Sequence, residues 1–370
     1  MKITGLETIS LSAPLKNPFL SGKGTLGSGN VGLAFVQIHT DEDVVGIGEA
    51  SLVAVRLIRE FEKLVVGEDP FAVERIWEKL FRARENGKFY PSEILMRAVA
   101  GIDTAIWDVI GKALNKPLYR LLGGYRNKVP CYASGGYYRA GYTKEDLAKE
   151  AAGYVEMGYK AFKMKVGLLD PEKDVERVKA VRNAVGDDVD IMCDGSTSWD
   201  PATAIRFAKM AEKYNIRWYE EPVQWYDQVE GTRMVKEATS IPIASGQGEI
   251  TKFGCRRWLE GRALDIMQAD SRNCGGITEL RKIAAMAEAY NIPIAPHHCY
   301  VHSNMHLTAS APNGLILEIF PNPERNPLWF EVYMDDPENM IKGGVLTVPE
   351  KPGLGIELNE KGIEKYRVKE

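Results

Sequence analysis

The sequence predicts an α/β protein, a modified (β/α)7β barrel of the TIM-like kind preceded by an α+β portion. Three observations carry this reading. From about Val129 onward, short apolar and β-branched runs alternate with helical stretches at intervals of roughly 20–30 residues, the rhythm of parallel βα units. Most of these runs end in an acid, a lysine or a histidine, as they do where the carboxyl ends of parallel strands converge on one face. The chain before Val129 has a different rhythm, in which strand-like runs are followed by helical patterns.

In that first portion LETISLSAP, VGLAFVQIHTD and VVGIGEA read as strands of a small antiparallel sheet, and HTDEDVVG has the turn chemistry of a hairpin. Helical patterns follow at about Val53–Val65, Phe71–Ala83 and Ser92–Leu114. The Gly-rich stretch SGKGTLGSGN, residues 21–30, reads as a mobile loop or lid. It lacks the GKS/T ending and the following helix of a phosphate cradle. In the second portion Thr143 with Asp146, Asp170-Pro171 and Asp200-Pro201 mark helix starts, and Gly158, Gly186 and Gly261 lie at or near helix ends. Eight strand candidates lie between Val129 and Phe320, and no clear helix follows the last, which makes seven βα units and a final strand. The expected organisation is residues 1–125, a barrel over 126–321, and a Pro- and Gly-rich tail, 322–370, that folds back on the first portion.

Composition excludes several classes. The 370 residues carry a net charge of −4 and no basic run, so a nucleic-acid partner is not expected. The N-terminus is too short and polar for a signal peptide, and no apolar stretch approaches the roughly 20 residues of a membrane helix. The five cysteines form no CxxC pair and are odd in number, which argues against a disulfide framework or zinc ribbon and for small buried hydrophobes in a cytoplasmic protein.

The chemistry lies in the strand ends. Asp194 ends DIMCDG, Glu220 and Glu221 end IRWYEEP, and Glu249 follows IPIASGQG. Hard oxygen ligands on three consecutive strand ends suit Mg²⁺. A single acid in such a place is usually a helix cap or a surface group; three in succession reverse that reading. Strand alternation favours Glu220 over Glu221. In KAFKMKVG alternation puts Lys163 and Lys165 on the same side. An ordinary lysine is neutral at pH 7 only about once in 2,500 molecules. A neighbouring ammonium and partial desolvation that lowered Lys165 by roughly three pH units, about 4 kcal/mol, would make it a useful base. Asp270 and His297 end consecutive strands, where a carboxylate can fix the imidazole tautomer. His302 and His306 follow at helical spacing without an acidic partner and read as incidental. Glu318, in LILEIF, is placed to hydrogen-bond a substrate carboxylate oxygen.

In this order the residues resemble the enolase superfamily, and within it the mandelate racemase subgroup. AVAGIDTAIWDVIGKALNKPLYRLLGG (98–124), VVGIGEA, IASGQGE and QADSRNCGGITE extend the resemblance over nearly the whole chain. It implies that the first portion is a capping domain completed by the tail. It further implies that Asp194, Glu220 and Glu249 hold Mg²⁺, that Lys165 is the base on one face and that His297, supported by Asp270, acts on the other. Lys163 would neutralise the substrate carboxylate and depress the Lys165 pKa, and Glu318 would stabilise the enediolate. Asp270 stands where the muconate-lactonizing and dipeptide-epimerase groups would carry a lysine. Ser196 departs from the asparagine of many relatives at a position that often touches substrate.

The shared step implied is abstraction of the proton α to a carboxylate. Acid-sugar dehydration to a 2-keto-3-deoxy acid is the first expectation, with a racemase, epimerase or cycloisomerase as the alternative and a catalytically silent binding protein as a third. Substrate contacts are expected from Phe19–Asn30 and Ser51–Arg56, where Lys23 and Arg56 could grip a second carboxylate, and from Tyr138 and Ser196. The expected partners are a small carboxylate substrate and further copies of the chain in a homo-oligomer, a dimer or octamer.

Overall fold

The computed structural model describes all residues except 16, 23, 26–28, 84–91, 299, 335–339 and 369–370. Its N-terminal sheet is antiparallel, with β1 (Ile3–Pro14), β4 (Asn30–Thr40) and β5 (Val45–Ala50) in that order; β2 (Leu20–Ser21) and β3 (Gly24–Thr25) form a separate short hairpin. The β4–β5 turn closes where Thr40 Oγ1 accepts from Val44 N at 3.2 Å. Three helices follow, α1 (Val55–Val65), α2 (Val73–Phe81) and α3 (Glu93–Ala113), close to the expected spans. Ser92 caps α3 by accepting from Leu95 N. α3 lies directly on β5 because Gly46 and Gly48 have no side chains there. A Cβ on Gly48 would come within 2.5 Å of Ala105 N, and one on Gly46 within 2.2 Å of Ala105 O.

After α4 (Leu118–Leu121) the barrel begins. Its strands and helices alternate as β6 (Lys128–Gly135), α5 (Lys144–Glu156), β7 (Ala161–Lys165), α6 (Pro171–Val185), β8 (Asp190–Asp194), α7 (Pro201–Ala211), β9 (Ile216–Glu220), α8 (Gln228–Ala238), β10 (Ile243–Ser245), α9 (Thr251–Glu260) and β11 (Ile266–Met267). Then come α10 (Ser271–Cys274), α11 (Ile277–Ala289), α12 (Val301–Ser310) and β12 (Leu317–Ile319). β6 to β11 are paired in sequence order and parallel, and β12 pairs with β6. The seventh strand, read from IPIAPH, is reduced to Ile294, which bridges Met267 and Gly314 and so closes the ring. Pro293 and Pro296 flank it and have no N–H to extend a ladder. Thr143 and Asp146 form the expected capping box at α5, and Asp200 caps α7; Asp170 precedes α6 without a side-chain cap bond.

The barrel is filled, not hollow. Tyr132, Ala161, Met192, Trp218, Ala244, Ile266, Ala295 and Ile316 form one buried cluster, with one side chain from each of the eight strand positions. Two residues further along the strands come Lys163, Asp194, Glu220, Gln268, His297 and Glu318. The apolar layer is therefore the floor of the site.

The tail divides. β13 (Ile341–Lys342) and β14 (Val345–Thr347) extend the barrel sheet beside β6, whereas α13 (Pro327–Glu331) and α14 (Glu360–Tyr366) pack against β1. The two portions are tied by buried polar bonds. Trp107 Nε1 donates to Thr278 Oγ1 at 2.8 Å, and Asp103 accepts from Thr278 N at 2.9 Å. Cys131, Cys193, Cys255 and Cys274 are buried free thiols, and burial pushes Cys131 up to about 12; Cys299 lies outside the described residues. Among the described residues no helix is long and apolar enough to cross a membrane.

His302 and His306 have structural partners. His302 lies 3.3 Å from Glu49. His306 Nδ1 accepts from Tyr119 N at 3.0 Å and its Nε2 lies 3.1 Å from Leu354 O, an arrangement that needs the neutral ring. Full burial lowers its pKa to about 4. The neutral ring thus contributes stability that is complete above the unfolded value of 6.5 and is lost as pH falls towards 4, roughly 3 kcal/mol in all. His306→Gln should flatten the pH dependence of denaturant unfolding between pH 6.5 and 4, even if it lowers stability at pH 7. An unchanged slope would assign the acid sensitivity to other groups.

Candidate active site

Parallel register brings the charged strand ends together. Lys165 on β7 is the partner of Asp194 on β8, and Asp194 is the partner of Glu220 on β9. Lys163 Nζ lies 2.5 Å from Glu220, 2.8 Å from Glu318 and 3.6 Å from Asp194, and Lys165 pairs with Asp194. All five side chains are buried. Trp218 Nε1 and Gln268 Nε2 donate to the second Glu220 oxygen at 3.2 and 2.6 Å, and His298 N donates to Glu318 at 3.0 Å.

The charges in this cluster do not balance. Asp194, Glu220 and Glu318 face two ammoniums. Burial pushes Glu220 up to about 7, against the pull of Lys163 and with the help of Asp194 and Glu318. The lysines are held charged. Burial acts to lower both, but Glu220 and Glu318 hold Lys163 well above the ordinary range, and Asp194 raises Lys165. Lys163 does act to lower Lys165, as expected from the sequence, but Asp194 in direct contact outweighs it and the net direction is upward. A buried donor set short of positive charge fits a hard divalent cation, which Asp194 and Glu220 could hold.

On another part of the rim His297 Nδ1 lies 2.9 Å from Asp270 Oδ2. Asp270 also caps α10, accepting from Arg272 N at 2.8 Å, so its orientation is set by the backbone. The Asp270 contact at Nδ1 fixes the orientation of the imidazole.

Other candidates are placed elsewhere. Glu249 does not join Asp194 and Glu220. Its carboxylate accepts from Trp258 Nε1 at 2.7 Å and lies 3.4 Å from Arg257 Nη2, both on α9 outside the barrel. Among the described residues no three histidine, cysteine or acidic side chains are arranged to hold a metal ion. Glu221 turns away at φ +43° and accepts from Ser245 Oγ and Gly246 N. Ser196, at φ +48°, bonds Asp194 through both its N–H and its hydroxyl. Its hydroxyl positions a carboxylate. The Tyr138 hydroxyl donates to buried Asp174 at 2.5 Å and Arg177 lies over its ring. Arg56 is 89% exposed and paired with Glu60 one helical turn on. Lys23 lies outside the described residues.

A cavity of about 290 Å³ opens between barrel and cap, lined in part by Phe19, Ser51, Arg272, His298, Arg325 and Trp329. Arg325 lies over the rings of Phe320 and Tyr137, and the Tyr137 ring is 5.2 Å from Lys165 Nζ. No carboxylate of the described residues lines this cavity. Arg325 was not legible from strand ends because it sits in the irregular tail. The β2–β3 hairpin is seated on the barrel mouth. Leu20 and Tyr138 exchange backbone bonds at 2.8 and 3.0 Å. The lid reading of the Gly-rich stretch thus becomes a docked hairpin at residues 20–25, and residues 23 and 26–28 lie outside the described residues.

This barrel mouth combines buried lysines, buried carboxylates and an Asp–His pair. The chain belongs to the mandelate racemase/muconate lactonizing enzyme family of the enolase superfamily. Residues 4–123 match the family's N-terminal domain, and residues 146–362 match the enolase C-terminal domain-like family. The chain is 34% identical over 343 residues to the arabinonate dehydratase of Saccharolobus solfataricus, with 90% of each chain covered. It is 31% identical to the D-galactarolactone cycloisomerase of Agrobacterium fabrum, covering 100% of this chain and 99% of that one. It superposes with a TM-score of 0.87 and 34% identity on a mandelate racemase/muconate lactonizing enzyme from a marine actinobacterium in complex with magnesium, covering 100% of this chain and 99% of that one.

The seating of the hairpin can be tested at Gly22. A Cβ there would lie 2.5 Å from Val166 O and 2.8 Å from Gly195 O, backbone atoms just beyond the Lys165 and Asp194 strand ends. Gly22→Ala should unseat the hairpin and raise KM more than it lowers kcat, with little change in global stability. Unchanged steady-state kinetics would show that the hairpin has no part in closing the site.

Proposed function

We propose that the protein is an acid-sugar dehydratase that forms a 2-keto-3-deoxy acid. The observation that carries this reading is the pair of candidate bases, Lys165 and the Asp270-oriented His297, on well-separated strands with the carboxylate cluster between them. One of the two takes the proton from the carbon α to the substrate carboxylate; for Lys165 to do so it must first lose the Asp194 contact that holds it charged. The β-hydroxyl then leaves with a proton as water, and the enol tautomerises to the ketone with a proton gained at the former β-carbon. Lys163 neutralises charge on the substrate carboxylate, and Glu318 hydrogen-bonds the enediolate oxygen as charge develops there. Bound at Asp194 and Glu220, Mg²⁺ would supply Lewis-acid stabilisation of that charge. Arg272 and Arg325 in the adjoining cavity suit the hydroxylated or anionic remainder of the chain. The arabinonate dehydratase relative supports the reaction type. The same two bases also support reprotonation from the opposite face, and the cycloisomerase relative keeps that second reading in play.

Proton NMR in D₂O with Mg²⁺ and a panel of aldonic and aldaric acids tests the proposal. Loss of an α-proton with new 3-deoxy signals is the expected result; α-proton loss without elimination would transfer the assignment to a racemase, epimerase or cycloisomerase. Lys165→Ala and His297→Ala should each lower kcat by roughly 100- to 10,000-fold while the fold is retained. Full turnover in both variants would sink the mechanism.

A further inference from the structure

We propose that the carboxamide oxygen of Gln247, and not a carboxylate of Glu249, is the third protein ligand of the divalent cation, beside Asp194 and Glu220. The inference rests on the reading that the site binds such a cation. Asp194 and Glu220 are register partners across β8 and β9, and Glu220 is in turn the partner of Ala244 on β10. The chain leaves β10 at Ser245, turns at Gly246 with φ +105°, and presents Gln247 next.

Gln247 Oε1 is shielded from solvent and has no hydrogen-bond partner. An amide oxygen in that condition is costly unless a donor or a cation satisfies it. The main chain at this residue is fixed, since Gln247 O accepts from Asn273 Nδ2 at 3.0 Å. Gln268 Oε1 is also unpartnered, but its own amide nitrogen donates to Glu220 at 2.6 Å, which makes that residue a holder of the ligand Glu220. Glu249, two residues beyond Gln247, is occupied. Buried Trp258 donates to it, and its other oxygen lies over Gly254, only 2.2 Å from where a Cβ on that glycine would stand. That contact holds the loop against α9.

Electrostatics favours the neutral ligand. Asp194, Glu220, Glu221 and Glu318 already place four buried carboxylates at this end of the barrel, where like charges repel. A further carboxylate among Asp194, Glu220, Glu221 and Glu318 would add to that repulsion. An amide supplies a hard oxygen without the charge. The resulting set of two carboxylates and one amide leaves the cation more electropositive and more weakly held than three carboxylates would.

The test is the affinity of Mn²⁺ for the EDTA-stripped full-length protein without substrate, read by electron paramagnetic resonance, with circular dichroism as the folding check. Gln247→Ala should weaken binding at least about 10-fold, Gln247→Glu should tighten it, and Glu249→Gln, which still accepts from Trp258, should stay within about twofold of the original. Unchanged binding in Gln247→Ala, or loss of binding in folded Glu249→Gln, would overturn the assignment. Absence of Mn²⁺ binding by the unaltered protein would instead remove the cation reading itself, and this inference with it.

Discussion

The ion cluster of Lys163 and Lys165 with Asp194, Glu220 and Glu318 is the constraint on which the rest of the structure depends. Five charged groups buried in one barrel are costly unless each finds a partner at close range. The parallel register supplies that range, because partner residues on adjacent strands bring Lys165, Asp194 and Glu220 side by side. The apolar floor beneath them keeps water out from below, and Trp218 and Gln268 satisfy the remaining Glu220 oxygen. The same low dielectric that makes the cluster expensive also strengthens its attraction for a cation and for a substrate anion.

Much of this was legible in the sequence because a strand has a period of two and a barrel has one functional end. Lys163 and Lys165, Asp194, Glu220 and Glu318 sit on regular strands, so alternation told which way each points. The reading weakened where the ladder stops. Beyond Ser245 the backbone turns through Gly246, and parity no longer ranks Gln247 against Glu249. Glu249 comes first in the sequence reading because it supplies a hard oxygen after the third of three consecutive strands. Tyr138 is a related case. It follows Gly136, at φ +62°, and lies outside β6, so counting along the strand could not show that its ring turns back to Asp174 and Arg177.

The capping portion was readable as strands and helices but not as a surface. Its role depends on which residues meet the barrel, and those contacts join positions far apart in the chain. Trp77 Nε1 donates to Gly275 O at 2.7 Å, and Glu49 accepts from Tyr333 in the tail at 2.8 Å. Neither bond has a local signature. The short seventh strand shows the opposite case. Its two prolines were visible in IPIAPH, and they account for a closure made by one bridging residue instead of a ladder.

Tyr138 also links the docked hairpin to the strand end that carries Lys165. Its backbone pairs with Leu20 of the docked hairpin, while its hydroxyl holds Asp174. Asp174 braces Arg177, whose guanidinium grips the carbonyl of Lys165 at 2.7 Å and that of Gly136 at 2.9 Å. The seat of the hairpin and the backbone of a candidate base thus share one chain of hydrogen bonds, which runs through a tyrosine whose hydroxyl is committed to Asp174.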